Sequence, residues 1–230
     1  MLKRSLINQS IDLAIETFAK HNLHLPPFAF WTPAEWETKG SEADEIRDCM
    51  LGWDVTDFGY GQFDFLGRIL FTLRNGKGKN PYPKSYAEKF ILDPPGQRAP
   101  LHYHRSKRED IINRGQHGTI VIDVQLSDEN GTPCDKPFDM QINGVTRHME
   151  SGPARIRMAP GESICLHPGI LHQFWGEEGG AVAVSGEVSG VCDDVNDNVF
   201  IGEANVRFPG IEEDEPRRYY LCNEYPPAVK

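Results

Sequence analysis

No stretch of this 230-residue chain approaches the roughly 20 apolar residues that a membrane-spanning helix needs. The first residues carry no apolar core followed by a small-residue cleavage site, so no secretory leader is expected. The five cysteines, at 49, 134, 165, 192 and 222, are odd in number, widely spaced and never in a C-x-x-C pair, which argues against a disulfide framework or a zinc knuckle. Positive charge is short as well: 24 Lys and Arg against 34 Asp and Glu leave −10, with acidic residues bunched at Glu177 and Glu178, at Asp193 and Asp194, and from Glu212 to Glu215. Such a balance argues against nucleic acid or an anionic membrane as partner. Repeats and low-complexity linkers are missing too. The expectation is a soluble cytoplasmic protein.

Apolar residues make up 39% of the chain, enough for a sizeable core. Leu6, Ile7, Ile11, Ala14, Ile15 and Phe18 recur at helical spacing behind Ser5 as N-cap, which predicts an amphipathic opening helix. Thr32-Pro33-Ala34-Glu35 reads as a capping box with Pro at the first helical position. Gly40-Ser41 separates this helix from another ending near Leu51-Gly52. From Phe63 onward, short β-branched and aromatic runs alternate with Gly, Pro, Asn and Asp. They predict strands over 66–73, 85–92, 101–104, 109–113, 120–126, 140–142, 145–149, 154–158, 163–166, 171–175 and 181–188. Asn143-Gly144 is a two-residue hairpin signal. The pattern is that of an all-β sandwich or barrel. The chain divides as one domain over 1–230: a helical prefix at about 5–52 that covers a face or edge of the barrel, the barrel at about 63–190, and a C-terminal tail at about 191–230 that closes over the site.

The densest chemistry lies in His102-Tyr103-His104-Arg105-Ser106-Lys107-Arg108-Glu109, answered by His172 after Pro168-Gly169. Strand residues two apart share a face roughly 7 Å apart, so His102 and His104 can converge on one ion while Tyr103 points away. A turn over 105–108 returns Glu109 to the same place, and His172 enters from another strand. Three imidazoles and a carboxylate leave positions open on an octahedral ion and suit Mn, Fe, Co, Ni or Zn better than Ca or Mg. Lys107 lies where its ammonium can reach a bound substrate oxygen; equally, Arg105, Lys107 and Arg108 can form a solvated turn. His21, His24, His117, His148 and His167 read as solvated or hydrogen-bonded residues.

These residues resemble the two cupin motifs, G-x5-H-x-H-x4-E-x6-G and G-x5-P-x-G-x2-H-x3-N. The first fits from Gly96 to Glu109, with its closing glycine one residue early at Gly115. The second departs more: Gly161 to Pro168 is one residue longer, Pro168 and Gly169 are adjacent, and Gly176 replaces the final Asn. The resemblance implies an all-β fold, the cupin double-stranded β-helix or jelly-roll barrel with an N-terminal helical segment, and metal ligation by His102, His104, Glu109 and His172.

Nearly end to end, the chain is also similar to the D-lyxose isomerases, the cupin-type sugar ketol-isomerases. The matching stretches are 25–29, 50–59, 71–76, 86–89, 109–115, 174–175, 186–189, 207–209, 211–215 and 221–225; the run Met50-Leu51-Gly52-Trp53-Asp54-Val55-Thr56-Asp57-Phe58-Gly59 is the most specific. The resemblance implies reversible conversion of D-lyxose to D-xylulose, and of D-mannose to D-fructose, by a homodimeric enzyme supported by Mn²⁺ or Co²⁺; Fe²⁺, Ni²⁺ and Zn²⁺ fit the same ligands. By resemblance, Glu203 is the carbon base and Lys107 the oxygen-side acid of an enediol mechanism, with a metal-assisted hydride shift as rival. Lys89, Glu187 and Asp197 are candidates for binding sugar hydroxyls, and Phe174, on the strand face of His172, for the apolar face of the sugar. A cupin dioxygenase and a non-catalytic sugar-binding cupin remain the alternatives. A phosphosugar isomerase would need a phosphate-binding cluster that the sequence does not display.

Overall fold

Alternation in the strand sequences decides which side chains meet inside this molecule, and the register of the sheets then decides where. A computed structural model describes residues 1–193, 196–202 and 206–229. Strand β1 (Leu2–Lys3) leads into helix α1 (Arg4–Lys20), followed by a 3-10 turn at Pro27–Phe30 and the short helices α2 (Pro33–Trp36) and α3 (Asp44–Asp48). Strands β2 (Gly52–Thr56), β3 (Arg68–Arg74), β4 (Tyr86–Asp93), β5 (His102–His104), β6 (Glu109–Asn113) and β7 (Ile120–Ser127) come next. Then follow β8 (Pro133–Cys134), β9 (Phe138–Ile142), β10 (Val145–Met149), β11 (Ala154–Met158), β12 (Ser163–Leu166), β13 (Ile170–Gly176) and β14 (Ala183–Gly190). Strands β15 (Asn198–Phe200) and β16 (Ile211–Glu212) lie in the C-terminal segment.

Two sheets form the body. One has the order β10-β9-β12-β6-β14-β4-β3-β2; the other runs β11-β7-β13-β5-β15, with β8 paired to β7. Residues of alternating position, among them Leu70, Ile91, Ile111, Ile122, Val124, Met140, Ile164 and Phe174, fill the space between them. This is the jelly-roll arrangement that the cupin motifs imply. The hairpin at Asn143 and Gly144 is present, with φ of 55° and 75°, the left-handed values that a tight two-residue turn between β9 and β10 requires.

A second core lies on the outer face of the larger sheet. Ile7, Ile11, Ala14 and Phe18 of α1 pack on Trp53, Phe71, Phe90, Leu92 and Val184. Phe18 stacks on Trp53 with ring centroids 6.4 Å apart, and the Trp53 indole N–H donates to the Ala29 carbonyl at 2.8 Å. Helix α1 therefore covers a sheet face, and the edge strand β2 follows directly after the helical segment. All five residues of β2 are buried because helix and barrel cover its two faces. The strand was not among those predicted; Trp53 and Val55 face the apolar core, while the buried Asp54 and Thr56 find their partner in Arg207 of the C-terminal segment.

Two other expectations change. Ser5 is not the N-cap of α1; Lys3 occupies that position and caps with no side chain. Ser5 instead donates its N–H (2.9 Å) and hydroxyl (2.7 Å) to Asp214, so a C-terminal carboxylate satisfies the start of the helix. The capping box of Thr32 and Glu35 is present, but α2 ends after a single turn and the segment continues as 3-10 turns and α3. Tertiary anchors replace helix length here: Arg47 of α3 donates to the carbonyls of Lys39, Gly40 and Pro226.

The C-terminal segment is fastened to α1 by charge. The fully buried Arg4 guanidinium forks onto Glu213 (2.8 and 2.8 Å) and reaches Glu224 (2.5 Å), while β1 pairs in parallel with β16. Hydrogen bonds from Arg4 hold the Glu213 carboxyl down to about 2, against 4.5 for a free glutamate. A depressed carboxylate pKa contributes stability above the unfolded value and loses it as pH falls to the folded value. The stability difference between the parent and Glu213→Gln is therefore expected to be full at neutral pH and to shrink between about pH 4.5 and about pH 2 in urea unfolding. A difference independent of pH would contradict this.

Candidate active site

Strand β5 turns His102 and His104 inward, and β13 sets His172 directly opposite His102 in antiparallel register. The turn over 105–108 reverses the chain so that β6 begins at Glu109 with its carboxylate facing the same interior. Ring centroids of His102, His104 and His172 lie 4.2 to 5.4 Å apart, and one nitrogen from each imidazole falls within 4.8 Å of the others. Glu109 Oε1 is 3.2 Å from His104 Nε2 and 3.0 Å from His172 Nε2. All four groups are buried.

This donor set fits a divalent transition metal on its own chemistry. His102 Nδ1 lies 2.8 Å from the Pro100 carbonyl and His172 Nδ1 2.9 Å from the Ile170 carbonyl. A carbonyl only accepts, so both Nδ1 atoms carry the proton and the Nε2 lone pairs point inward. His104 Nε2 and His172 Nε2 are buried without a hydrogen-bond partner. Leaving such atoms unpaired costs ~1–3 kcal/mol each, a cost that a bound cation removes. Burial, together with the neighbouring His172 and His104, pushes His102 well below the ordinary imidazole value and keeps it neutral.

Beside the imidazoles runs a chain of buried charges. Lys107 Nζ lies 2.7 Å from Glu109 Oε2 and 2.9 Å from Glu187 Oε1, and Lys89 Nζ lies 3.2 Å from Glu187 Oε2. Glu187 and Lys89 are exact cross-strand partners on β14 and β4. Burial works against each charge, but the opposite charges outweigh it: Lys107 is held well above the usual lysine value, and Glu109 and Glu187 below the usual carboxylate value. Arg68 and Asp93 form another buried pair at 2.9 Å; here burial prevails, raising Asp93 to about 6 and lowering Arg68.

The solvated-turn alternative thus holds for Arg105 and Arg108, which are exposed, and not for Lys107, which is 6% exposed. Phe174 faces the interior with His172, and the Arg68 guanidinium stacks 4.2 Å from its ring. Lys89, Glu187 and Phe174 all line the pocket in front of the histidines. Asp197 is placed differently: it does not line that pocket, and its carboxylate accepts the N–H groups of Ser106 and Lys107 and the Ser106 hydroxyl. Glu203 lies outside the described residues.

Several lining residues were not singled out from sequence: Phe58, Arg68, Asn198, Phe200 and Arg207. Arg68 carried a signal, a charged residue opening an apolar strand. Arg207 did not, because it reaches the pocket only when the C-terminal segment crosses β2, where its guanidinium pairs with Asp54. Cys192 Sγ, 3.4 Å from Glu187 Oε1, joins the buried chain in the same manner.

Removing Glu187 leaves two buried ammonium groups short of a partner. Uncompensated buried charge costs ~3–5 kcal/mol, so Glu187→Ala is expected to lower the thermal unfolding temperature markedly, and the double change with Lys89→Met, which keeps the Lys107–Glu109 pair, to recover much of it. Equal stability of parent and Glu187→Ala would show that the charges are not coupled.

Comparison with known proteins accords with this geometry. The family model of D-lyxose isomerase matches residues 2–225. The chain is 44% identical over 226 residues to the D-lyxose/D-mannose isomerase of Escherichia coli O157:H7, covering 97% of this chain and 98% of that one, with the same figures for its counterpart from Serratia proteamaculans. Among solved structures, the L-ribose isomerase of Cellulomonas parahominis with L-ribose superposes with a TM-score of 0.57 at 15% identity, over 92% of this chain and 99% of that one. A mutant L-ribose isomerase of Acinetobacter sp. DL28 in complex with L-ribose gives 0.59 at 14% identity, over 92% and 98%. At that identity the likeness is one of fold, the cupin-like barrel. With a family match over almost its entire length and relatives at 44% identity, this chain belongs to the D-lyxose isomerase family.

Proposed function

We propose that the chain is an aldose–ketose isomerase that interconverts D-lyxose with D-xylulose and D-mannose with D-fructose, supported by a divalent transition metal. The observation that carries the reading is the convergence of His102, His104, His172 and Glu109 beside the buried Lys107, in a chain 44% identical to D-lyxose/D-mannose isomerases. Those four residues would hold the metal, Mn²⁺ in the first instance, with Co²⁺, Fe²⁺, Ni²⁺ or Zn²⁺ as substitutes. When bound, the ion supplies Lewis acidity toward the oxygens on C1 and C2 of the sugar.

The reaction moves a proton between C2 and C1 and another between the two oxygens. Lys107 Nζ, held between Glu109 and Glu187, is positioned to exchange the oxygen-side proton. Glu203 is assigned the carbon-side proton by family resemblance. Lys89 and Glu187 offer hydrogen bonds to sugar hydroxyls. Phe174 and Phe200 supply apolar surface that keeps water from the reacting carbons. Homodimeric assembly and a cytoplasmic location belong to the same proposal, the first from family resemblance and the second from composition.

Ketose formation from D-lyxose and D-mannose by EDTA-stripped protein, with and without Mn²⁺, tests the reading. Turnover restored by the metal on both sugars is expected; no turnover on either by a protein that still binds metal would overturn it in favour of a dioxygenase or an isomerase of another sugar. Lys107→Ala is expected to lower kcat by about 10²- to 10⁴-fold while leaving metal content at the parent level. Deuterium placed at C2 is expected to wash out into solvent, and its full retention would replace the enediol with a hydride shift.

A further inference from the structure

Two of the three converging imidazoles are oriented by backbone carbonyls, but His104 is not. Its Nδ1 is buried, makes no hydrogen bond in this structure, and faces Asp197 Oδ2 at 3.4 Å. The same carboxylate organises the turn that follows: Oδ1 accepts the Ser106 N–H at 2.7 Å and the Ser106 hydroxyl at 2.6 Å, and the Lys107 N–H lies 3.3 Å from both oxygens. The Asp197 carbonyl takes the Arg105 N–H at 3.0 Å. Every described side-chain contact of Asp197 thus falls on the segment that carries His104 and Lys107.

Asp197 Oδ1 takes the Ser106 N–H and hydroxyl, the Lys107 N–H is shared between the two oxygens, and Oδ2 faces His104 Nδ1. The carboxylate is thus turned toward this segment, and Asp197 is not among the residues that line the pocket. Asp197 is itself locked in place. Its N–H donates to the Asp193 carbonyl at 3.0 Å, and the adjacent β15 pairs with β5 so that Asn198 lies opposite His104 and Phe200 opposite His102.

From this geometry we infer that Asp197 is a positioning residue: it orients His104 as a ligand through Nδ1 and fixes the 105–107 turn from which Lys107 reaches Glu109 and Glu187. It does not bind sugar. A consequence is that His104 is held in its orientation only when the C-terminal segment has docked on β5. The inference rests on the metal-supported reading for its readout, and the two can fail separately.

The probe is Mn²⁺ alone, in equilibrium dialysis of stripped parent and Asp197→Asn, with sugar KM measured at saturating Mn²⁺. Asparagine keeps an acceptor for the turn but sets an amide against His104 Nδ1. Loss of a partner behind a ligating histidine weakens metal binding by about 10- to 100-fold, and that loss with a parent-like KM for D-lyxose is expected. A raised KM with parent-like Mn²⁺ affinity would overturn the inference and return Asp197 to the sugar site; so would no change in either. A parent that binds no metal would instead sink the metal-supported reading itself. Should Asp197→Asn fail to fold, the parent protein answers: loaded with Zn²⁺ and labelled at histidine, it is expected to show slowly exchanging Nδ1 protons for His102, His104 and His172. A His104 proton that exchanges as freely as one in solvent would overturn the inference.

Discussion

The Glu109 carboxylate is the contact around which the interior of this protein is arranged. One oxygen faces two imidazoles and the other takes the Lys107 ammonium at 2.7 Å, all of them buried. An isolated ion in such a place would cost several kcal/mol. It is tolerated because Lys107, Glu187 and Lys89 extend the charge alternately, each sign answered by the other. A polar site of this sort survives inside a barrel only if its members are all present and all in register.

Register is supplied by the two sheets. His172 opposite His102 ties β13 to β5, and Glu187 opposite Lys89 ties β14 to β4. A slip of one residue in either pairing would turn a functional side chain outward and expose its apolar neighbours, so the same alternation that fills the core with Ile91, Ile111 and Phe174 also aims the site. Stability and placement of the chemistry are therefore one constraint.

Both chain ends reinforce it from outside. Helix α1 seals the outer face of the larger sheet, and Arg4 and Ser5 hold the C-terminal segment by Glu213, Glu224 and Asp214. That segment brings Phe200 and Arg207 to the pocket and Asp197 to the turn behind His104. The first residues of the chain thus help to fix its last, and through them the front and the back of the site.

The local sequence determined what depends on local spacing. Strands β6, β10, β11 and β12 follow directly from alternation and turn residues, and the ligand candidates follow from H-x-H, the four-residue turn to Glu109 and the strand carrying His172. Tertiary structure decided what depends on distant partners. Strand β2 buries Asp54 and Thr56 against Arg207 of the C-terminal segment; α1 starts on a carboxylate more than 200 residues away; Asp197, a candidate for sugar hydroxyls by resemblance, faces the turn behind His104 once β15 pairs with β5. The physical reason is the same in each case: a side chain's role is set by which donor or apolar face completes its surroundings, and for these residues that group arrives from elsewhere in the chain.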